Sequence, residues 1–296
     1  MRLPSVEYRS VLITGCSSGI GLATARRLRA RGWQVIASAR QAKDVERLAH
    51  EGFRTIPLDV ADEASVKAAA LEALRIADGK LGALVNNAGF GQAGAAEDVS
   101  RAALRYQFEV NVFGLQDLTN RLLPAMLRAG SGRIVHISSV LGRVVLPMYG
   151  SYCASKHAVE ALADAQRVEL RGTGVGLILV EPGPITTEFR RTAARMVRET
   201  MPGAQSAYGS YYEKEVERRV QLSKTESRMS KPPEAVAKVI EHALTTRNPC
   251  ARYAVTLPAQ VAPVLRKILP DFLYDAAVSA RVPERGKVTS NHRIVL

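Results

Sequence analysis

The sequence predicts an α/β fold, one doubly wound parallel sheet with helices on both faces. Three observations carry that prediction. Short apolar runs such as Val11-Leu12-Ile13, Ala83-Leu84-Val85 and residues 176–180 have the length and uniformity of strands buried on both faces. Between them lie longer segments whose apolar residues recur at helical spacing. The first apolar run leads directly into a glycine-rich turn followed by a helical pattern.

The first strand, residues 10–14, runs into Thr14-Gly15-Cys16-Ser17-Ser18-Gly19-Ile20-Gly21. Glycines at these positions permit a tight turn and close approach of the backbone, so that helix N-terminal amides can face a pyrophosphate. The order of the glycines differs from the usual dinucleotide fingerprint, and it is their place between strand and helix that marks a nucleotide site. The next strand, residues 33–38, ends in Ala39-Arg40. In a dinucleotide fold this strand end faces the adenosine ribose, where an acidic residue would bond the 2′-hydroxyl and an arginine suits a 2′-phosphate. Arg40 therefore points to NADP(H) over NAD(H), the alternative being an ordinary surface arginine.

A polar helix over 41–50, a strand over 53–58 ending in Asp59-Val60, and a helix over 63–77 continue the alternation. Ala83-Leu84-Val85 then leads into Asn86-Asn87-Ala88-Gly89, where small residues let a ligand approach the backbone, unless this is merely a turn. A long helix over 100–129 carries Asn111 in mid-course, a poor helix former unless its amide is used, and Pro124, which predicts a kink. The strand over 133–138 contains His136, read as a buried structural histidine, and ends at Ser138-Ser139, on the edge where ligands of open α/β sheets bind. The following loop, with Leu141, Val144, Leu146 and Met148, is apolar enough to line a pocket.

A helix over 154–170 places Tyr152 and Lys156 one turn apart on one face. Such a pair is common on helices. It becomes chemistry if the ammonium lowers the pKa of the phenol by favouring the phenolate. A strand over 176–180 leads to Glu181-Pro182-Gly183-Pro184-Ile185-Thr186-Thr187. Residues 188–230 are charged, with scattered aromatics, and read as a mobile lid. A helix from Pro232 to Leu244 and a strand over 252–257 complete the core. In the extension over 258–296, Val261, Val264, Leu265, Ile268, Leu269, Phe272 and Leu273 form an apolar stripe broken by Pro263 and Pro270. It suits a pocket cover, an oligomer seam or a membrane surface. Residues 282–296 read as a polar tail.

With 296 residues, 47% of them hydrophobic, the chain suits one domain, 1–296, with its core at about 10–257. A formal charge of +13 raises the question of nucleic acid, but the basic residues form no cluster and lack interleaved aromatics, so no nucleic-acid partner is expected. Three cysteines, an odd number without metal-like spacing, point to free thiols, no metal and a reducing compartment. The N-terminus has no apolar signal-like region and the chain no apolar run of about 18 residues, so a cytoplasmic location is expected.

Taken together, Thr14-Gly15-x3-Gly19-Ile20-Gly21, Asn86-Asn87-Ala88-Gly89, Asn111, Ser139, Tyr152-x3-Lys156 and Pro182-Gly183-x-Ile185-x-Thr187 stand in the order of the short-chain dehydrogenase/reductase family, which the chain resembles over about 10–257. The resemblance implies a Rossmann-type sheet of about seven strands and hydride transfer at a carbonyl or alcohol carbon. It implies that Tyr152 is the general acid or base and that Ser139 holds the substrate oxygen. It further implies that Lys156 lowers the phenol pKa and bonds the nicotinamide ribose, and that Asn111 positions a water. The cofactor set implied is Gly15, Ser17, Ser18, Gly19, Ile20, Gly21, Arg40, Asp59, Val60, Asn87, Ala88, Gly89, Pro182, Gly183, Ile185 and Thr187, with Tyr152 and Lys156. Arg40, the apolar loop and the extension resemble the NADP(H)-preferring hydroxysteroid and retinol dehydrogenase-like or aldehyde reductase-like members. These imply a small lipophilic substrate and a homodimer or homotetramer. A sensor or scaffold that binds NADP(H) without catalysis is the alternative, which the intact Ser139, Tyr152, Lys156 and Asn111 oppose. Peripheral membrane contact through the basic surface and the apolar stripe is a weaker one.

Overall fold

The computed structural model describes residues 3–222 and 229–286. The chain opens with β1 (Ser10–Ile13), α1 (Gly19–Ala30), β2 (Gln34–Ala39), α2 (Ala42–His50), β3 (Arg54–Pro57), α3 (Glu63–Ile76) and β4 (Ala83–Asn86). It continues through α4 (Arg101–Phe108) and α5 (Gly114–Ala129), joined by a π-helical turn (Glu109–Phe113), to β5 (Gly132–Ile137), α6 (Gly150–Glu169) and β6 (Val175–Glu181). Beyond β6 come α7 (Phe189–Thr200), α8 (Gly209–Leu222), α9 (Pro233–Thr245), β7 (Arg252–Ala254), α10 (Leu257–Ile268) and α11 (Asp271–Ser279). The seven strands form one sheet in the order β3-β2-β1-β4-β5-β6-β7, every neighbouring pair parallel. This is the doubly wound Rossmann-type sheet that the alternation predicts.

Strand side chains alternate between two faces, and each face has its own core. Leu12, Leu84, Ile134 and Leu177 pack with Val66 and Ala69 of α3, Leu118 and Leu122 of α5 and Val159 of α6. Val11, Ile13, Val85, Val135 and Ile178 pack on the other side with Leu28 of α1, Leu48 of α2 and Val236 and Ile240 of α9. The apolar runs are uniform in sequence because both faces are covered. Helix ends follow local chemistry: the Asp62 carboxylate accepts from the amide of Ala64 to cap α3, the Ser100 hydroxyl accepts from that of Ala103 to cap α4, and Gly130 ends α5 in the left-handed region.

α5 is held close to the loop that follows β3. A Cβ on Gly114 would stand 1.8 Å from the carbonyl oxygen of Val60, so only glycine lets the helix approach there. Gly114→Ala is expected to lower the urea midpoint by an amount equivalent to about 1–3 kcal/mol, the cost of overpacking. An unchanged midpoint would show that the helix is free to draw back.

Three expectations are revised. The helix that carries Tyr152 begins at Gly150, so the Tyr lies in its first turn rather than ahead of it. Pro124 is accommodated inside α5, and the departure from α-helical geometry lies upstream, in the turn that contains Asn111. The apolar stripe of the extension forms α10 and α11, with Pro263 inside the first and Pro270 capping the second. Its large side chains face solvent, Ile268 and Phe272 being 72% and 71% exposed, and do not cover the cleft. Within the predicted lid, α7 and α8 pack Ala194, Val197, Tyr212 and Val216 on Ala93, Ala95 and Met148. The phenol of Tyr212 donates to Asp98, which also accepts from Ser206 Oγ at 2.6 Å. Residues 223–228 of that lid and 287–296 of the tail lie outside the described residues. Among the described residues no helix is long and apolar enough to cross a membrane, and Cys16, Cys153 and Cys250 are free thiols.

Candidate active site

The C-terminal ends of β1 to β6 open on one cleft of about 990 Å³. Strand order reverses between β1 and β4, and a crevice at such a point is where open α/β sheets bind ligands. Of the residues predicted from sequence, Gly15, Ser17, Ser18, Gly19, Ile20, Arg40, Asp59, Val60, Asn87, Ala88, Gly89, Ser139, Tyr152, Lys156, Pro182, Gly183, Ile185 and Thr187 line it. Gly21 and Asn111 do not. A separate cavity of about 570 Å³, bounded by Leu3, Arg167 and Cys250, contains none of them.

The glycine turn is built for closeness. Gly15 and Gly19 have φ of +71° and +57°, in the left-handed region, and a Cβ on Gly21 would fall 2.3 Å from the carbonyl oxygen of Gly15. Gly21 therefore acts behind the cleft wall, allowing α1 to close on the turn. Asn87 braces the same turn: its Nδ2 donates to the carbonyls of Thr14 at 2.8 Å and Gly15 at 3.1 Å. Thr14 Oγ1 in turn accepts from the amides of Asn87 and Ala88. Within the Asn pair that reads as a ligand contact or a turn, Asn87 is thus a strut between β1 and β4, while Asn86 bonds Thr119 of α5 and His136 of β5.

At the far end of the cleft Arg40 stands exposed after β2, its Nη1 donating to the Tyr106 hydroxyl at 2.9 Å, and Lys43 lines the same wall. Arg47 Nη2 donates to the carbonyl of Ser17 at 2.6 Å, fixing the turn from the side. The ring of Phe90 lies 5.3 Å from that of Tyr106. A close-approach glycine turn, serine hydroxyls and two basic side chains suit an anionic dinucleotide.

Ser139 follows β5 and caps a short turn, its Oγ accepting from the amide of Leu141 at 3.1 Å. Its hydroxyl is close enough to the phenol of Tyr152 to favour the phenolate. Lys156, one turn further along α6, donates from Nζ to the carbonyl of Ile137 at 2.7 Å and lies 5.9 Å from the centre of the Tyr152 ring. Burial raises the Tyr152 pKa above its ordinary value, and the Ser139 hydroxyl opposes that rise. Loss of solvent is the largest influence on the phenol, and Lys156 is not among the groups that shift it. Burial also draws Lys156 down to about 8, against the field of Glu160. His136, pushed by burial to about 3, is a neutral core residue beside Asn86.

Asn111 is buried behind the cleft with its amide engaged. Nδ2 donates to the carbonyl of Phe90 at 3.0 Å and to Ser155 Oγ at 3.1 Å, and Oδ1 accepts from the amide of Phe90. Its unusual place in a helix is explained by this brace. The sequence reading missed Phe189, whose ring stands 5.5 Å from that of Tyr152, and the pair Phe90 and Tyr106. The position of Phe189 directly after Thr187-Glu188 is the signal that could have found it. Val140, Leu141 and Leu146 of the apolar loop line the cleft.

The short chain dehydrogenase family matches residues 9–198. An uncharacterized oxidoreductase, YbbO, of Escherichia coli strain K12 is 42% identical over 91% of this chain and 94% of its own length. The NADPH-dependent 3-dehydrocapnine reductase of Ornithobacterium rhinotracheale is 36% identical over 90% of this chain and 95% of its own. Retinol dehydrogenase 16 of Homo sapiens is 34% identical over 96% and 92%. Among solved structures, a short chain dehydrogenase/reductase from Burkholderia phymatum in complex with NAD superposes with a TM-score of 0.75 at 26% identity, covering 99% of this chain and all of that one.

Proposed function

Since the chain belongs to the short-chain dehydrogenase/reductase family, in its retinol and hydroxysteroid dehydrogenase-like branch, we propose that it is an NADP(H)-dependent oxidoreductase acting on a carbonyl or alcohol carbon of a lipophilic small molecule. The observation that carries this reading is that Ser139, Tyr152 and Lys156 line the same cleft as the glycine turn. The bound cofactor supplies or accepts the hydride. Tyr152 gives its proton to the oxygen that gains charge in reduction and takes one from the alcohol in oxidation, while Ser139 holds that oxygen. Lys156 presents its ammonium to the phenolate that results and to the nicotinamide ribose. Asn111 keeps the Phe90 loop and Ser155 in register beside Lys156.

Gly15 and residues 17–21 would cradle the pyrophosphate, Asp59 and Val60 the adenine, and Pro182, Gly183, Ile185 and Thr187 the carboxamide. Asn87, Ala88 and Gly89 would wall the adenosine side, and Arg40 would take the 2′-phosphate. The relative named as NADPH-dependent supports that preference. Leu141, Leu146, Phe189 and Met196 give the substrate end an apolar wall, which supports a lipophilic substrate, as does the relative named for retinol. Leu104 on α4 and Phe113 in the π-helical turn, with Leu162 and Val168 on α6, are exposed apolar residues that support a homodimer or homotetramer.

The test is NADPH and NADH oxidation by the purified protein against aliphatic aldehydes, retinal and steroid ketones. Turnover that prefers NADPH supports the reading. Tight NADPH binding with no turnover across the panel would favour a sensor.

A further inference from the structure

One turn beyond Lys156 on α6 stands Glu160, a carboxylate only 5% exposed. Hydride transfer asks for no carboxylate behind the site, and a buried charge is costly unless it is paired. Glu160 Oε2 accepts from Arg252 Nε at 3.0 Å, but Arg252 is shared: it also meets Asp164 Oδ2 at 2.6 Å and Glu181 Oε1 at 3.1 Å. The other two carboxylates have second cations, Arg143 at 3.2 Å from Glu181 and Arg167 at 2.9 Å from Asp164. Glu160 Oε1 is buried with no hydrogen-bond partner among the described residues. Glu160 is therefore under-neutralised by the arginines, and the nearest remaining cation on its helix face is Lys156, four residues back.

We propose that Glu160 is a positioning residue that serves as the buried counter-charge of Lys156 and keeps it in the ammonium form, with Arg252 of β7 setting how much of that charge Lys156 feels. The inference rests on the reading of Lys156 as a working ammonium.

The surroundings of Lys156 support it. From α6 it faces Tyr152, whose phenol burial keeps neutral, and Glu160. From β5 it faces His136, also neutral, and the Ile137 carbonyl, and from the π-helical turn the uncharged amide of Asn111. Glu160 is thus the group that opposes the burial of Lys156. Its charge is felt on the other side as well: burial and then Glu160 raise Glu181 above the usual carboxylate range. Gly142 keeps the Ser139 loop against this face, since a Cβ there would stand 3.0 Å from Glu160 Cγ and 3.1 Å from the Lys156 carbonyl oxygen.

The experiment is a pH titration of the full chain labelled with 13Cε-lysine and followed by NMR, with Lys156→Arg identifying the Lys156 resonance. Glu160→Gln is expected to lower the Lys156 midpoint by about one pH unit, and Glu160→Asp to restore most of it. Arg252→Gln is expected to move the midpoint the other way, because Glu160 then loses its competing cation. The alkaline limb of kcat/KM should move with the midpoint in each variant. A midpoint that stays in place in a folded Glu160→Gln protein overturns the proposal, even if activity falls, since a merely structural role would cost activity without moving the titration. The midpoint is read without turnover. Absence of carbonyl reduction in the wild type with the shifts present would therefore count against the enzymatic reading and in favour of this one.

Discussion

Tyr152→Phe is expected to lower kcat for carbonyl reduction by about 10³-fold or more and to leave NADPH affinity nearly unchanged. Phenylalanine keeps the ring and its packing against Phe189 at 5.5 Å, so the pocket retains its shape. What is lost is the proton. Hydride arriving at carbon leaves charge on oxygen, and without the phenol only the Ser139 hydroxyl meets that charge. Water is a poor substitute because the residue at this position is 7% exposed. The measurement is NADPH oxidation under saturating cofactor, with binding followed separately by nicotinamide fluorescence. Turnover that survives in the variant would place the acid elsewhere in the cleft. The raised phenol pKa adds a direction: the acid is fully protonated through the neutral range, so reduction is ready to proceed there, whereas oxidation needs Tyr152 to lose a proton and should gain rate as pH rises.

Arg40→Ala is expected to weaken NADPH binding by about 1.5–3 kcal/mol, the worth of a charged hydrogen bond, and to leave NADH binding almost untouched. At about 1.4 kcal/mol per decade this is roughly a 10- to 150-fold rise in Kd for one cofactor alone. The guanidinium is exposed, yet it is oriented by the Tyr106 hydroxyl at 2.9 Å, which reduces the freedom it must surrender to a phosphate. Lys43 on the same wall should keep part of the attraction and hold the loss toward the lower end. Titration of wild type and variant with each cofactor decides the matter. Equal weakening of both would assign Arg40 to packing rather than to the 2′-phosphate.

The residues legible in the sequence are those whose signal is local. Gly15, Gly19 and Gly21 betray a tight turn because no other residue type tolerates it, and Tyr152 and Lys156 share a face because a helix fixes their spacing. Uniformly apolar strands announced burial on both faces, and both faces are covered. What the sequence hid is non-local. Arg252 meets Glu160 from 92 positions away, and nothing in either neighbourhood announces the other. Asn111 reads as a water-holding amide, while the chain bends Phe90 back to meet it. The phenol of Tyr152 illustrates the same limit: proximity of Lys156 was visible, but the depth of burial that raises the phenol pKa belongs to the fold.

The π-helical turn at Glu109–Phe113 has a consequence for the length of the chain. Such a turn holds one residue more than an α-helical turn, so the stretch from Arg101 to Ala129 has the form of a regular helix into which a single residue has been inserted. Removing one residue there would let the hydrogen-bond ladder become regular with α4 and α5 still in phase, but it would abolish the widened turn that carries Asn111. Gln107, upstream in α4, would still hold Phe90 and Gln92, but Asn111 would lose the geometry by which it holds Phe90 and Ser155. Surface substitutions along this helix should be tolerated, but its residue count should not: the segment can vary in letter and not in length.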